Sequence, residues 1–497
     1  MFELLEAYSL LAIQHGSSLI LGFIRTKLIA SALGPFGLGI FSQANTLFLV
    51  IQGFSTLGLG GGFIKLISES HSAQDYERLN KTVVTALSLF GVFSVLFIVL
   101  CTVFAQPIAR WSFNDPQYGS FILIVVIAGA LWVQFQTITY VMRGLQLWRE
   151  YTLASTVGYG LNLAAMIPLV YLGGLGGAVF SLLVAQVFNL LVAIYIFQKS
   201  VIIRFPIHYW KYSPDKNVLK EISRFFAPLL SIQALSYFTV LFIRSEIIRQ
   251  LGADANGIYQ TISGISLAYM GLVSTTIWTY GIPKISSLLK NPEEITQVQN
   301  NSLRVSLIVL SPLTVMLLAS REIWIPMLFS PAFLLAGQFL FWQFMGDILS
   351  TIRINLNITL IPRMRLRYFF FDNALYLTGW IAFSVWLIPK TGVQAVPFGY
   401  FLANAALFVV DMVYHYVVSN FRFNHANTQL ILKMIPLVAA GFYFAQTFSV
   451  LWLRYLVCSA ILLVMLAWLP SRSEYRKAFD LVKDQLSRIR EKPAHPL

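Results

Sequence analysis

Long apolar windows recur along the whole chain. They fall at residues 8–30, 38–64, 82–105, 119–142, 151–172, 177–198, 223–246, 257–282, 303–320, 333–352, 369–388, 393–417, 430–447 and 449–469. Most approach or exceed the roughly 20 residues that carry an α-helix across the hydrocarbon core. Polar and apolar positions do not alternate at every second residue, as barrel strands require. The pattern predicts an all-α polytopic membrane protein with about fourteen transmembrane helices. Pro168, Pro228 and Pro312 fall inside windows. A bilayer tolerates them where neighbouring helices satisfy the freed backbone groups.

Composition agrees. The 497 residues are 57% hydrophobic and 11% charged, with mean hydropathy +0.71. A soluble chain of this length needs more charge to cover its surface. Cys101 and Cys458 lie in apolar runs, so neither a disulfide nor a thiolate metal site is expected. The opening "MFELLEAYSL" has two glutamates and no basic region, which predicts an uncleaved first helix. The net charge of +14 fits a positive-inside bias rather than nucleic-acid binding. Alternate connections and the tail hold 27 of the 35 Lys and Arg. Both termini are therefore expected on the cytoplasmic side.

One phrase occurs twice. "FIRTKLIASALGPFGLGIF" at 23–41 is matched by "FIRSEIIRQLGADANGIY" at 242–259. "GFIKLIS" at 62–68 meets "GIPKISS" at 281–287, and "GLGGAVF" at 174–180 meets "GVQAVPF" at 392–398. A near-constant offset in this order predicts two six-helix halves. An even number of spans between the copies makes the repeat parallel, with a central cleft at its axis. The expected organisation is an N-terminal half at 1–198, a basic cytoplasmic linker at 199–222 and a C-terminal half at 223–417. Two additional helices at 418–470 follow, then a basic amphipathic tail at 471–497. That tail places Tyr475, Phe479, Val482, Leu486 and Ile489 on one helical face.

Candidate chemistry begins with Arg25 and Arg244, which end apolar stretches at matched repeat positions. Two readings stay open. They snorkel to headgroups, or they face one cavity that binds an anion through guanidinium forks. Lys27, Lys65 and Lys284 extend the second reading, and Glu246 is placed to neutralise Arg244 or Arg249. Asp347, Asp372 and Asp411 are candidates for ion coupling. They are equally candidates for pairing with Arg353, Arg367 and His415. Gln43, Gln134, Asn162 and Asn404 either contact sugar hydroxyls or join helices by hydrogen bonds. "GLGGG" at 58–62 imitates a nucleotide loop but sits in an apolar window with no strand before it. No Walker motif is present, and no cofactor is expected.

Residues 23–69, "FIRTKLIASALGPFGLGIFSQANTLFLVIQGFSTLGLGGGFIKLISE", resemble the start of Wzx-type polysaccharide flippases. These belong to the multidrug/oligosaccharidyl-lipid/polysaccharide exporter superfamily and typically open R-x-K-L-x-A-x-x-L-G-P-x-G-x-G. "REIWIPMLFSPAFLLAGQFLFWQFMGDIL" at 321–349 and "WLIPKTGVQAV" at 386–396 resemble their later half. The resemblance implies a flippase of the bacterial inner membrane rather than an enzyme. It would move undecaprenyl-pyrophosphate-linked oligosaccharide to the periplasmic leaflet by alternating access, for O-antigen or enterobacterial-common-antigen-like polysaccharide. Its partners would be that lipid-linked substrate, membrane lipids, and polysaccharide polymerase and chain-length proteins. Two alternatives stand beside it. One is a cation-coupled multidrug exporter of the same superfamily. The other is a membrane glycosyltransferase or polymerase, although D-x-D is absent and outer connections are short.

Overall fold

The computed structural model describes residues 2–56, 59–202, 205, 211–223, 227–448 and 450–469. The amphipathic tail expected at 471–497 lies outside them, as does part of the basic linker. The chain is all α, with no strand among the described residues. Its helices are α1 (Phe2–Thr56), α2 (Gly60–Ser72), α3 (Tyr76–Val103), α4 (Ala105–Phe113), α5 (Gly119–Gly144), α6 (Trp148–Ile196), α7 (Lys216–Ser223) and α8 (Ala227–Leu251). They continue as α9 (Ala253–Ser287), α10 (Pro292–Ala319), α11 (Arg321–Leu328), α12 (Leu340–Asn357), α13 (Leu366–Thr391), α14 (Ala395–Val418), α15 (His425–Thr447) and α16 (Leu451–Trp468). Local chemistry sets several starts. Asp75 accepts from the backbone N–H of Arg78 at 2.9 Å and caps α3. Pro292 opens α10, followed by Glu293 and Glu294 at its positive end.

Among the described residues, eight helical segments are long and apolar enough to cross a membrane. The number is up to nine if a bent pair at 331–357 forms one span. In that pair, Pro331–Gln338 is a 3-10 helix set at 58° to α12, where the sequence predicts one continuous span. Three of the eight segments exceed one crossing: Gly16–Phe54 with 39 residues, Trp148–Ile202 with 55 and Leu366–Val418 with 53. Each reverses at a glycine. The Arg25 guanidinium lies 5.7 Å from the Phe41 ring centre, whereas sixteen residues of straight helix would span about 24 Å. A Cβ on Gly177 would fall 1.8 Å from the Leu169 carbonyl oxygen. The Trp380 indole N–H donates to the Val396 carbonyl at 3.3 Å.

These reversals carry the repeat in the backbone. Gly34 (φ 65°) is matched by Gly252 (φ 91°), Gln146 (59°) by Met364 (56°) and Gly174 (54°) by Gly392 (62°). The spacing is 218 residues each time (252 − 34, 364 − 146, 392 − 174). A left-handed φ suits glycine, which has no Cβ to clash. In the first pair it lets the chain fold back within a few residues.

The chain divides into two compact units. One comprises Met1–Tyr269, Ile325–Gln343 and Arg365–Leu407, and the other Met270–Trp324, Phe344–Met364 and Phe408–Leu497. This partition follows spatial packing and cuts through α9, α12 and α14. In the first unit, Phe63 packs edge-on to Phe90 at 5.3 Å. Ile243, Ile247, Tyr259, Leu387 and Ile388 form a second core cluster. In the second unit, Ile277, Ile285, Ile295 and Ile358 cluster, and the side chains of Asn300 and Asn427 are joined at 2.9 Å.

Within the first unit α1 and α9 meet backbone to backbone at repeat-matched glycines. A Cβ on Gly39 would fall 1.9 Å from the Ala253 carbonyl oxygen, and one on Gly257 would fall 2.0 Å from that of Pro35. Gly39→Val and Gly257→Val should each lower the thermal transition of the detergent-solubilised protein, by about 1–3 kcal/mol or more. Gly91→Val should not do so through crowding, because its Cβ meets nothing within 4 Å. Fluorescence-detected thermal unfolding is the measurement. Equal stability of all three variants would show that the crossing is not tight.

Candidate functional site

Arg25 sits in α1 one turn beyond Leu21 and Gly22 and two turns beyond Ser18. With Tyr159, Asn162 and Leu163 of α6, these residues line a cavity of ≈220 Å³. A neighbouring cavity of ≈270 Å³ shares Ser18, Gly22 and Arg25, and adds Gln260, Gly264, Leu267 and Ala268 of α9 with Phe329. The Arg25 side chain is half-buried against Phe41. Its Nε has no hydrogen-bond partner. Among the described residues no carboxylate pairs with it. The Asn162 carbonyl oxygen is likewise buried without a partner. Tyr159 and Asn162, three apart on one helix face, reach the same space. A cation with open donors beside amide and hydroxyl groups suits an oxyanion attached to a hydroxyl-rich group.

Arg244 differs at its two terminal nitrogens, which are both bonded, while its Nε, like that of Arg25, is buried without a partner. Arg244 is 4% exposed. Its Nη1 donates to Ser42 Oγ at 2.9 Å and Asn256 Oδ1 at 3.2 Å. Its Nη2 donates to Gln260 Oε1 at 2.6 Å and Ser263 Oγ at 3.3 Å. Its guanidinium lies 5.2 Å from the Tyr259 ring centre. Glu246 is engaged elsewhere, with Arg249 at 2.5 Å and Gln250 at 3.0 Å. Asn256 also donates to the Gly39 carbonyl at 2.7 Å, which ties this network to the glycine crossing.

The other sequence candidates scatter. Lys27 Nζ donates to the Pro326 carbonyl at 2.7 Å. Lys65 is exposed, 3.6 Å from Glu69, and Lys284 is exposed in the second unit. Gln43 bridges the Ser112 carbonyl (3.0 Å) and Ser245 Oγ (2.9 Å). Gln134 lines a separate, mostly apolar cavity with Val83, Leu87 and Leu190. Asn404 is buried and donates to the Tyr400 carbonyl at 3.0 Å. Asp347, Asp372 and Asp411 are all buried. In the second unit Asp411 accepts from Arg353 Nε at 2.9 Å and Asn357 at 3.2 Å, and Asn357 meets His415 at 3.0 Å. Arg454, 2% exposed, bonds Glu322 at 2.8 Å. That hydrogen bond holds the Glu322 carboxyl below the usual carboxylate range. Arg25 and Asn162 therefore share a cavity, while Arg244 reaches it only through Gln260. Sequence reasoning missed Tyr159, Gln260, Ser42 and Asn256. Their one signal is position: Asn256 and Gln260 flank the repeated "GIY", and Tyr159 precedes Asn162 by one helical turn.

A helical multi-pass membrane protein of repeated hairpins with a cationic cavity has the architecture of a transporter. Residues 4–289 match the polysaccharide biosynthesis protein family, and the chain belongs to that family. The Lipid III flippase of Escherichia coli (strain K12) is 26% identical over 385 residues, which is 76% of this chain and 89% of that protein. The Stage V sporulation protein B of Bacillus subtilis (strain 168) is 28% identical over 98 residues, 20% of this chain and 19% of that protein. Among solved structures, the lipid II flippase MurJ in its inward closed conformation aligns with a TM-score of 0.68. It does so at 14% identity, over 91% of this chain and 97% of its own. An inward-facing multidrug resistance MATE transporter aligns with a TM-score of 0.69 at 16% identity, over 83% of this chain and 98% of its own. These two share the fold.

Breaking the Arg353–Asp411 pair from one side should be costly, about 3–5 kcal/mol, because a buried charge is left over. Asp411→Leu should therefore lower thermal stability sharply, and Arg353→Met/Asp411→Leu should recover most of it. Transport by the double variant then separates the two roles. Wild-type transport marks a structural pair, and loss of transport in a stable protein marks ion coupling.

Proposed function

We propose that the protein is a flippase for lipid-linked oligosaccharide, moving it from the cytoplasmic to the periplasmic leaflet of a bacterial inner membrane. The observation that carries this reading is the Arg25 cavity, where a half-buried guanidinium lacks an acidic partner among the described residues. A sugar head joined to a lipid through pyrophosphate cannot cross hydrocarbon alone, because its polar groups would lose water without gaining partners. Arg25 supplies charge to the pyrophosphate or to an acidic sugar, and Tyr159, Asn162 and Ser18 supply hydroxyl and amide groups to the saccharide. Membership of the polysaccharide biosynthesis family and the likeness to the Lipid III flippase support the substrate class. The protein acts as a transporter rather than an enzyme, and a polymerase with its chain-length protein would consume the flipped unit.

Fourteen passes and two cytoplasmic termini belong to the same proposal. The hairpins at Gly34, Gly174 and Gly392 turn the eight apolar segments into eleven passes, the bent pair at 331–357 would make twelve, and α8 and α9 would complete fourteen. Rocking of the halves would give alternating access. Asp347, Asp372 and Asp411 remain the proposed places for ion coupling. Lys27, Lys65, Lys284 and Arg244 line neither Arg25 cavity, and each stays a separate proposed contact for the anionic substrate.

Two measurements test this. Loss of the protein should block a surface polysaccharide while its lipid-linked precursor accumulates on the cytoplasmic leaflet; a missing precursor would mean that the chain makes the sugar. Arg25→Ala should cut export at least tenfold at normal protein level, the scale of a charged hydrogen bond. Arg25→Lys should retain part of it, having the charge without the planar fork. Wild-type export by Arg25→Ala would reduce Arg25 to a helix anchor.

A further inference from the structure

We propose that Gln260 is a substrate-binding residue beside Arg25, and that Arg244 is the positioning residue that orients it. The proposal rests on the reading of the Arg25 cavity as an anion site. Gln260 is partly exposed and lines the ≈270 Å³ cavity with Arg25, Ser18 and Thr26. Its Oε1 accepts from Arg244 Nη2 at 2.6 Å. A guanidinium only donates, so the oxygen end of the amide must face Arg244 and the NH₂ end must face away. The far side is the cavity side. Nε2 lies 3.4 Å from where a Cβ on Gly264 would sit, and Gly264 lines the same cavity.

Without that anchor the amide would be free to turn over and present its oxygen, which repels an oxyanion. With it, the donor end is fixed toward the ligand. Donation into Oε1 also polarises the amide and strengthens Nε2–H as a donor. Arg244 is well placed to do this. Its terminal nitrogens donate four hydrogen bonds to neutral oxygens, and no carboxylate among the described residues pairs with it. Its charge is thus relayed through Gln260 rather than quenched. One cation and one oriented neutral donor on a shared cavity select an oxyanion. Two groups on a lipid-linked saccharide qualify: the pyrophosphate linker and the carboxylate of an acidic sugar.

The test is binding by the full-length protein in nanodiscs. The probes are geranylgeranyl pyrophosphate, glucuronic acid and, as an uncharged control, geranylgeraniol. Gln260→Glu keeps an acceptor for Arg244 and removes the donor. It should weaken binding of one anionic probe about tenfold or more, leave geranylgeraniol unchanged, and leave the thermal transition unchanged or raised. The probe that loses affinity identifies the source of the oxyanion. Arg244→Met should weaken the same probe in the wild type and add nothing in a Gln260→Ala background. An equal loss in both backgrounds would mean that Arg244 acts directly, and the positioning role would fall. If Arg244→Met does not fold, Gln260→Ala, which removes the donor without adding a charge, decides alone, and wild-type affinity for both anions overturns the proposal. Failure of the underlying reading looks different. There, the wild type binds neither anion, or Arg25→Ala binds both as well as the wild type does. Loss in Arg25→Ala with full affinity in Gln260→Glu removes only the role of Gln260.

Discussion

The first unit depends on two glycines that let helices touch at the backbone. Gly39 and Gly257 each face a carbonyl of the opposite helix, Ala253 and Pro35, at distances that leave no room for a methyl group. In a membrane, apolar burial gives little drive for helices to associate, because lipid is as apolar as leucine. Close contact and interhelical hydrogen bonds must supply it. The crossing provides both, since Asn256 reaches over it to the Gly39 carbonyl at 2.7 Å. It also fixes where the neighbouring turns go, and so brings α1 alongside α9 with Arg25 and Gln260 on one cavity.

Buried charge is the second constraint, and the two units meet it differently. In the second unit Arg353 takes a carboxylate, Asp411, and the pair neutralises itself. In the first, Arg244 takes hydroxyl and amide oxygens. Dipoles satisfy its Nη1 and Nη2 donors but leave the net charge in place. A carboxylate would have cancelled the field that an anionic substrate feels. The choice of neutral acceptors is thus consistent with a site that must attract negative charge.

Much of this was legible in the sequence. Apolar windows of the right length predict the helical class, and "LGP" and "LGAD" mark two of the reversals, at Gly34 and Gly252. The duplicated phrase foretells the matched glycines. What the sequence cannot carry is which polar side chain faces which. Arg25 and Arg244 look equivalent along the chain. Their difference lies in distances to residues such as Ser42, 202 positions from Arg244. The bend of 58° ahead of α12 was hidden for a related reason. Residues 331–340 are apolar enough to continue a span, and hydropathy does not distinguish a 3-10 turn from a helix.

The asymmetry of the two arginines follows from substitutions in a duplicated scaffold. Each has its ring, Phe41 under Arg25 and Tyr259 under Arg244, at equivalent positions. Arg244 then finds acceptors in its own half at Asn256, Gln260 and Ser263. The equivalents for Arg25 are Leu38, Ser42 and Asn45. Leu38 accepts nothing. Ser42 is shorter than glutamine, and its hydroxyl is already committed to Arg244 and the Gly39 carbonyl. Asn45 makes no hydrogen bond to Arg25. Across the pseudo-axis the relation inverts. As Arg244 reaches Ser42 of the first copy, Arg25 faces the cavity that holds Gln260 of the second. One copy of the motif thus bonded both terminal nitrogens of its arginine within the protein, and the other kept its donors open for a ligand. A symmetric pair of arginines would place two like charges on one anion. The duplicated and diverged pair instead offers one cation directly and the other through an oriented amide.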